Sequence, residues 1–183
     1  MSTKKRRPDM FYFAYGASMN ETQISARCHK PKAIAIARLA DHKLAFFGHS
    51  ETWDGGEETV TSQPGETLFG VVYQLSSSDS DLFDSCQGAR QDGTGAYFHS
   101  PAEVIGEDGK TYPVLLYKKT EQGLPQSPST EHLAFIIAGA TAHGLPQGYI
   151  DDLKKIESQK ANYPVPVKDK VNILSLQVMS CDC

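Results

Sequence analysis

The sequence predicts an α+β fold in which an antiparallel or mixed β-barrel carries helices packed on its outside. Strand patterns come first along the chain, and the two clearest helical patterns lie near its C-terminus. This order is typical of α+β proteins, whereas a doubly wound sheet alternates strands with helices. With 183 residues the chain is long enough for one domain with a real core. We therefore expect residues 1–9 to form a disordered basic tail and residues 10–183 to form a single domain.

The first element is the segment FYFAYGASMN, from Phe11 to Asn20, in which an aromatic strand meets a helix at Gly16. Glycine supplies the freedom in φ that a sharp turn uses. Asn20 is a suitable N-cap for a helix over Met19 to Cys28, with Gln23 as a weak capping-box partner. The backbone N–H groups of such a turn are suited to hold a carboxylate or an amide oxygen. An ordinary strand-to-helix corner is the alternative interpretation.

Two strands, Ala33 to Leu39 and Lys43 to Gly48, are predicted to pair through a turn at Asp41. Their apolar residues are candidates for the core: Ile34, Ile36, Leu39, Leu44 and Phe46.

The next stretch alternates turns with strands. The sequence Trp53-Asp54-Gly55-Gly56 predicts a turn, Glu58 to Ser62 a short strand, and Pro64-Gly65 another turn. Thr67 to Leu75 (TLFGVVYQL) is the strongest strand pattern of the chain.

A short helix and a hairpin follow. Ser76 to Asp79 offer N-caps for a helix through Phe83, and Gly88 is placed to end that helix. Tyr97 to Ile105 and Lys110 to Lys119 are predicted to form a hairpin.

Two helices and one extended segment complete the prediction. Ser127-Pro128 is a good N-cap and first-turn pair, and Gly144 closes the helix that it opens. Pro146 starts the second helix, and Val171 to Val178 is a candidate last strand. The two helices carry these apolar residues: Leu133, Phe135, Ile136, Ile137 and Ala140 in the first, and Tyr149, Ile150, Leu153 and Ile156 in the second.

Composition excludes several classes of function. The net charge of −4 and a pI of about 5.8 argue against a nucleic-acid partner, which needs a concentrated basic face. The basic cluster Lys4 to Arg7 is followed by an apolar run too short and too polar for a signal peptide or a membrane span. The four cysteines, Cys28, Cys86, Cys181 and Cys183, show neither zinc spacing nor a disulfide framework. We expect a cytoplasmic protein with reduced thiols.

The motif FAYGASM resembles the Y-G-S-N signature of the γ-glutamylcyclotransferase-like family, and further motifs of that family follow in order from about Tyr12 to Glu157. The resemblance implies a small closed mixed β-barrel with flanking helices, in agreement with the patterns above. The further motifs are Trp53-Asp54-Gly55-Gly56, Leu68-Phe69-Gly70-Val71-Val72-Tyr73, Leu82-Phe83-Asp84-Ser85-Cys86-Gln87-Gly88, Ser127-Pro128, Gly144-Leu145-Pro146, Tyr149 and Leu153-Lys154-Lys155-Ile156-Glu157.

The resemblance implies a reaction on a small γ-glutamyl amine or peptide. Members of the family turn the glutamyl α-amine onto its own side-chain carbonyl, which releases 5-oxoproline and a free amine. Because the attack is intramolecular, the reaction needs no metal and no cofactor. One carboxylate can take a proton from the α-amine and return a proton to the leaving amine.

Mapped onto this chain, the resemblance implies a substrate cradle and a catalytic position. The cradle is Tyr15, Gly16, Ala17, Ser18 and Met19, and a pocket tyrosine is retained as Tyr97. Gln87 occupies the position of the catalytic glutamate, and an amide cannot accept a proton at physiological pH. Ala17 and Ser18 also depart from the family's serine and asparagine, and Thr130 stands where a second pocket tyrosine is expected.

Three hypotheses follow from Gln87. In the first, the chain is a cyclotransferase in which Gln87 is either an engineered inactivating change or is offset by Asp84, Asp81 or Asp92. In the second, the chain is a γ-glutamyl-binding module without turnover. In the third, Cys86 is the nucleophile of an acyl transfer, with His99 as a candidate base from the following strand.

Overall fold

The computed structural model describes residues 10–90 and 92–167. The basic tail, the candidate strand at 171–178 and Cys181 and Cys183 lie outside these residues. Within them, five strands form a closed barrel in the order β1-β3-β2-β4-β5. The strands are β1 Met10–Ala14, β2 Lys32–Ser50, β3 Gly55–Leu75, β4 Tyr97–Gly106 and β5 Thr111–Lys119; the helices are α1 Glu21–Ser25, α2 Ser77–Gln87, α3 Thr130–His143 and α4 Gln147–Leu153.

The barrel is mixed because it closes through one parallel pairing. Tyr12 of β1 lies opposite Leu115 of β5 in a parallel register, while the remaining neighbours are antiparallel. The predicted fold class is therefore confirmed. No helix among the described residues is long and apolar enough to cross a membrane.

The long strands β2 and β3 correct two predictions. The two strands expected on either side of Asp41 are one strand, which pairs with β3 and not with itself. Asp41 has a φ of 56° at an irregularity in the ladder, and its carboxylate accepts the Gly65 N–H at 2.8 Å. This bond joins the two positions at which turns were predicted, Asp41 and Pro64-Gly65. Both positions lie in one irregular region of the β2–β3 ladder and not in separate turns.

Side chains of the strands alternate between two buried clusters. Phe13 of β1 belongs to the cluster formed with Leu68 and Val104, whereas its neighbour Tyr12 packs with Phe83 of α2 and Ile136 of α3. Leu39 and Phe46 are buried as predicted, and the other three predicted core residues of β2 are half-buried: Ile34, Ile36 and Leu44.

The helix ends agree with local chemistry, with one shift. Ser76 caps α2, and Gly88 and Gly144 end α2 and α3 in the left-handed conformation. The N-cap of α3 is Ser129, whose hydroxyl accepts the His132 N–H, and not the predicted Ser127. The reason is that Ser127 and Pro128 use their carbonyls to bind the chain at Gly56 and Gln159.

Candidate active site

The cradle lies at the end of β1, where the chain enters a short 3₁₀ helix, Ala17–Met19. Tyr15 and all three residues of this helix are buried. The φ of Gly16 is −123°, so a left-handed φ is not what calls for glycine there. Glycine is needed for a different reason: a Cβ at this position would overlap the carboxyl group of Glu58. The backbone and the carboxylate can approach each other only because residue 16 has no side chain.

The helix after the cradle is shorter than the sequence predicts. Helix α1 covers five residues, Glu21–Ser25. Asn20 caps it as expected, but its side chain accepts from the Thr22 N–H at 3.0 Å and not from Gln23. Beyond its end, Arg27 reaches back to within 3.4 Å of the Ser18 hydroxyl and so adds a cation beside the cradle.

The cradle holds a carboxylate that belongs to the chain itself. Oε2 of Glu58 accepts the Ala17 backbone N–H at 2.7 Å and lies 3.0 Å from Nε2 of His132. The Glu58 side chain remains 18% exposed, whereas the His132 side chain is fully buried. The turn thus binds a carboxylate, as expected, but that carboxylate is the side chain of Glu58.

Two opposing effects set the pKa of Glu58. Burial raises this pKa, because a carboxylate loses solvation when it is enclosed. The hydrogen bond and charge of His132, the Ala17 N–H and the charge of Arg27 outweigh burial and leave the pKa below its ordinary value. Glu58 is consequently ionised at neutral pH.

His132 is held in place by aromatic rings. Its imidazole stacks on Trp53 with ring centres 4.3 Å apart and an interplanar angle of 8°, and Phe46 meets it edge-on. Its Nδ1 is buried and has no hydrogen-bond partner among residues 10–90 and 92–167. Nε2 therefore makes the imidazole's polar contact in this part of the structure, and that contact goes to Glu58.

Glu58 opens onto a cavity of about 870 Å³. Gln87, the last residue of α2, lines the same cavity, together with Tyr97 at the start of β4 and Arg27. Residues 165–167 contribute to the wall, and the Val167 N–H holds this segment to the Thr52 carbonyl at 2.8 Å. The cavity thus brings together Gln87, Tyr97 and the carboxylate of Glu58 from β3.

Both predicted site tyrosines have partners. The Tyr97 hydroxyl donates to the Glu58 carbonyl at 2.8 Å, and the Tyr15 hydroxyl donates to the Tyr117 carbonyl. Burial raises the pKa of each phenol, and nearby acidic groups raise it further. Both hydroxyls are therefore neutral at physiological pH, and each gives its single proton to a backbone carbonyl.

The aspartates considered as substitutes for a glutamate lie elsewhere. Asp84 accepts a hydrogen bond from the Tyr117 hydroxyl and lies 2.7 Å from Nε2 of His99. His99, the candidate base for Cys86, is therefore paired with Asp84. Asp81 and Asp92 are exposed, and none of the three lines the cavity. Thr130 is likewise exposed and faces Ser158.

Sequence patterns did not single out Glu58 or His132 as site residues. One signal was available for Glu58: two consecutive carboxylates, Glu57 and Glu58, stand on a strand that must bury one face. His132 gave no comparable signal, because a helical histidine is ordinary at the surface. No group of three or more potential metal ligands occurs among the described residues.

Comparisons with known proteins agree with this architecture. The AIG2-like family matches residues 67–153. Gamma-glutamylcyclotransferase of Homo sapiens is 32% identical over 151 residues, covering 80% of this chain and 78% of the relative. The Mus musculus protein of that name is 33% identical over the same shares. A solved structure named gamma-glutamyl cyclotransferase superposes with a TM-score of 0.79 at 30% identity, covering 86% of this chain and 93% of the other.

Proposed function

Because the chain belongs to the γ-glutamylcyclotransferase family, we propose that it cleaves a γ-glutamyl amide and releases 5-oxoproline with a free amine. The glutamyl α-amine attacks the γ-carbonyl carbon, and the amide nitrogen departs. The substrate is a small γ-glutamyl amine or peptide. The reaction calls for no cofactor, since the nucleophile is part of the substrate.

The observation that carries the proposal is the cavity shared by Gln87, Tyr97 and the carboxylate of Glu58. Its volume of about 870 Å³ is in the range of small-molecule sites. The Gln87 amide donates to or accepts from the substrate and holds it by hydrogen bonds. Tyr97 lines the same wall and supports the strand that carries Glu58.

The cradle residues do not themselves line the cavity and reach it through the Glu58 side chain that they hold: Tyr15, Gly16, Ala17, Ser18 and Met19. Their backbone fixes the carboxylate of Glu58 through the Ala17 N–H. Arg27 adds a positive charge to the cavity wall, which suits the α-carboxylate of a glutamyl group. A bound glutamyl group then meets a carboxylate, an amide and a cation in one cavity.

The test is an assay of 5-oxoproline on a panel of γ-glutamyl amines and dipeptides. We expect the unmodified chain to release 5-oxoproline and an equal amount of free amine from at least one of them. The matched α-glutamyl peptides are the control, because their geometry does not allow the same ring closure. The Gln87→Glu variant is assayed in parallel, since it restores the carboxylate at the family's position.

The outcomes separate the hypotheses. If neither protein releases 5-oxoproline from any compound, the proposed reaction is wrong. If only Gln87→Glu does so, and the unmodified chain binds the compound without product, the chain is a γ-glutamyl-binding module.

Cys86 lines the cavity, so acyl transfer is a second candidate. Selective loss of product on Cys86→Ala, in a protein of unchanged thermal stability, would support it.

A further inference from the structure

We propose that Glu58 is the catalytic carboxylate of this chain and takes the part that Gln87 cannot perform. The inference rests on the cyclotransfer proposed above and names the acid/base group of that site. The carboxylate that we propose lies on strand β3, whereas the family resemblance places it at the end of α2. The two residues line one cavity, so a substrate that contacts Gln87 also lies in the space onto which Glu58 opens.

The two oxygens of Glu58 have different surroundings. The hydrogen bonds from Ala17 and His132 both go to Oε2, which is anchored by them. No group of the described residues donates a hydrogen bond to Oε1. One oxygen therefore holds the side chain in position, and the other is available to an ammonium group from the cavity.

The remaining carboxylate of the cavity wall is already paired. Glu57 forms an ion pair with Lys119, whose side chain is only 14% exposed. Lys119 carries a full charge at neutral pH and compensates that of Glu57, whereas the ion-pair partner of Glu58 is a histidine, which is charged only when it is protonated. The choice between the two consecutive glutamates thus falls on Glu58.

The charge state of Glu58 lets it enter the reaction as the base. Its pKa lies below the ordinary value, because His132 and Ala17 outweigh the effect of burial, so the carboxylate form is available at neutral pH. The same low pKa makes the protonated form a strong donor to the leaving nitrogen and makes the carboxylate a weaker base than one whose pKa lies near neutrality. His132 acts on the reaction only through Glu58 and is a positioning residue.

The proton balance closes on one carboxylate. Oε1 takes a proton from the substrate α-ammonium, and the amine lone pair then forms the C–N bond to the γ-carbonyl carbon. Breaking the C–N bond to the leaving amine requires a proton on that nitrogen, which Glu58 returns. The ring nitrogen loses a second proton by the same route, so two protons pass from the α-nitrogen to the leaving amine. Glu58 ends as a carboxylate.

The experiment compares four proteins on the best γ-glutamyl substrate of the panel: the unmodified chain, Glu58→Gln, Glu58→Ala and Glu66→Ala. Gln keeps the shape and an acceptor for the Ala17 N–H but has no basic oxygen. Glu66 is exposed on the same strand and is the matched control. Each is assayed for 5-oxoproline with sodium formate or with sodium chloride at equal ionic strength, after thermal unfolding has shown that it is folded.

We expect both Glu58 variants to lose a factor of about 10²–10⁴ in kcat, the usual contribution of a general base. Formate should restore at least roughly tenfold in Glu58→Ala, because it supplies a carboxylate in the vacated space, while Glu66→Ala stays unchanged. Activity of Glu58→Gln close to that of the unmodified chain overturns the inference, as does a Glu58→Ala loss that formate leaves untouched. Higher activity of Glu58→Ala also overturns it, since Glu58 would then be an occupant that substrate displaces.

Failure of the inference is distinct from failure of the proposed function. If the unmodified chain releases 5-oxoproline and Glu58→Gln does so equally well, only the inference falls. If the unmodified chain releases no 5-oxoproline while Gln87→Glu does, the inference is also wrong, because Glu58 did not replace the missing carboxylate. If the unmodified chain and Gln87→Glu are both silent on every compound, the cyclotransfer itself is wrong.

Discussion

Replacing Gly16 with alanine tests whether the cradle is shaped around the Glu58 carboxylate. The added Cβ would overlap that carboxyl group, so Glu58 must leave its place above the Ala17 N–H. The φ of −123° lies outside the left-handed region that favours glycine. The effect of the substitution therefore depends on the presence of Glu58.

The magnitude follows from the bonds that would be lost. A hydrogen bond to a charged group contributes about 1.5–3 kcal/mol. The displaced side chain is partly exposed and regains some solvation, so we count one such bond although two go to Oε2. Alanine also reduces the freedom of the unfolded chain, which stabilises by about 0.4–1 kcal/mol. Gly16→Ala should thus lower the free energy of unfolding by roughly 1–2 kcal/mol.

A double-mutant cycle with Glu58→Ala isolates the contact. In the Glu58→Ala background the clash is gone, so Gly16→Ala should be neutral or stabilising by up to about 1 kcal/mol. Urea unfolding can be followed by the fluorescence of Trp53, the single tryptophan, which stacks on His132 beside the site. Gly148→Ala is the control, because a Cβ there meets nothing within 4 Å. An equal cost of Gly16→Ala in both backgrounds would refute the reasoning.

Two further predictions concern protonation. The folded-state pKa of Glu58 lies below its ordinary value of 4.5, so its stabilisation is present above about pH 4.5 and is lost as the pH falls through the folded pKa. Glu58→Gln should therefore lower the free energy of unfolding near pH 7, and the difference should shrink in urea titrations at lower pH; a constant difference would contradict this. His132→Leu removes the main group that lowers this pKa, while the Ala17 N–H and Arg27 still lower it and burial still raises it, so the pKa should rise. The acid limb of kcat/KM should then move to higher pH, with His29→Leu, at an exposed position, as the control; an unmoved limb would count against a positioning role.

Local chemistry predicted much of the fold, because single residues determine single events. Gly88 and Gly144 end their helices, and Asn20 and Ser76 begin theirs, for reasons that need no tertiary contact. The continuity of β2 through Asp41 was missed, because it depends on the bond from that residue to Gly65 across the ribbon. The start of α3 was missed for the same kind of reason, since Ser127 and Pro128 are held by distant backbone groups.

The site shows the same division. The motif predicts the strand-to-glycine turn at Gly16, and the family resemblance implies site roles for Gln87 and Tyr97, which the structure places in one cavity. The sequence did not predict that Glu58 occupies the cradle, because Glu58 reaches it from a strand about forty residues further along the chain. Nor could the pairing of Glu58 with His132 be foreseen, since it forms only when α3 packs beside β3 in the folded protein. The order of the motifs predicts where a site lies, whereas the protonation state of a group such as Glu58 depends on contacts between residues distant in the sequence.

The most direct measurement is the release of 5-oxoproline by the unmodified chain, with Gln87 in place, beside its Gln87→Glu variant. The account predicts that the unmodified chain turns over at least one γ-glutamyl compound, because Glu58 already supplies a carboxylate to the cavity. An unmodified chain without product, next to an active Gln87→Glu variant, would contradict the account.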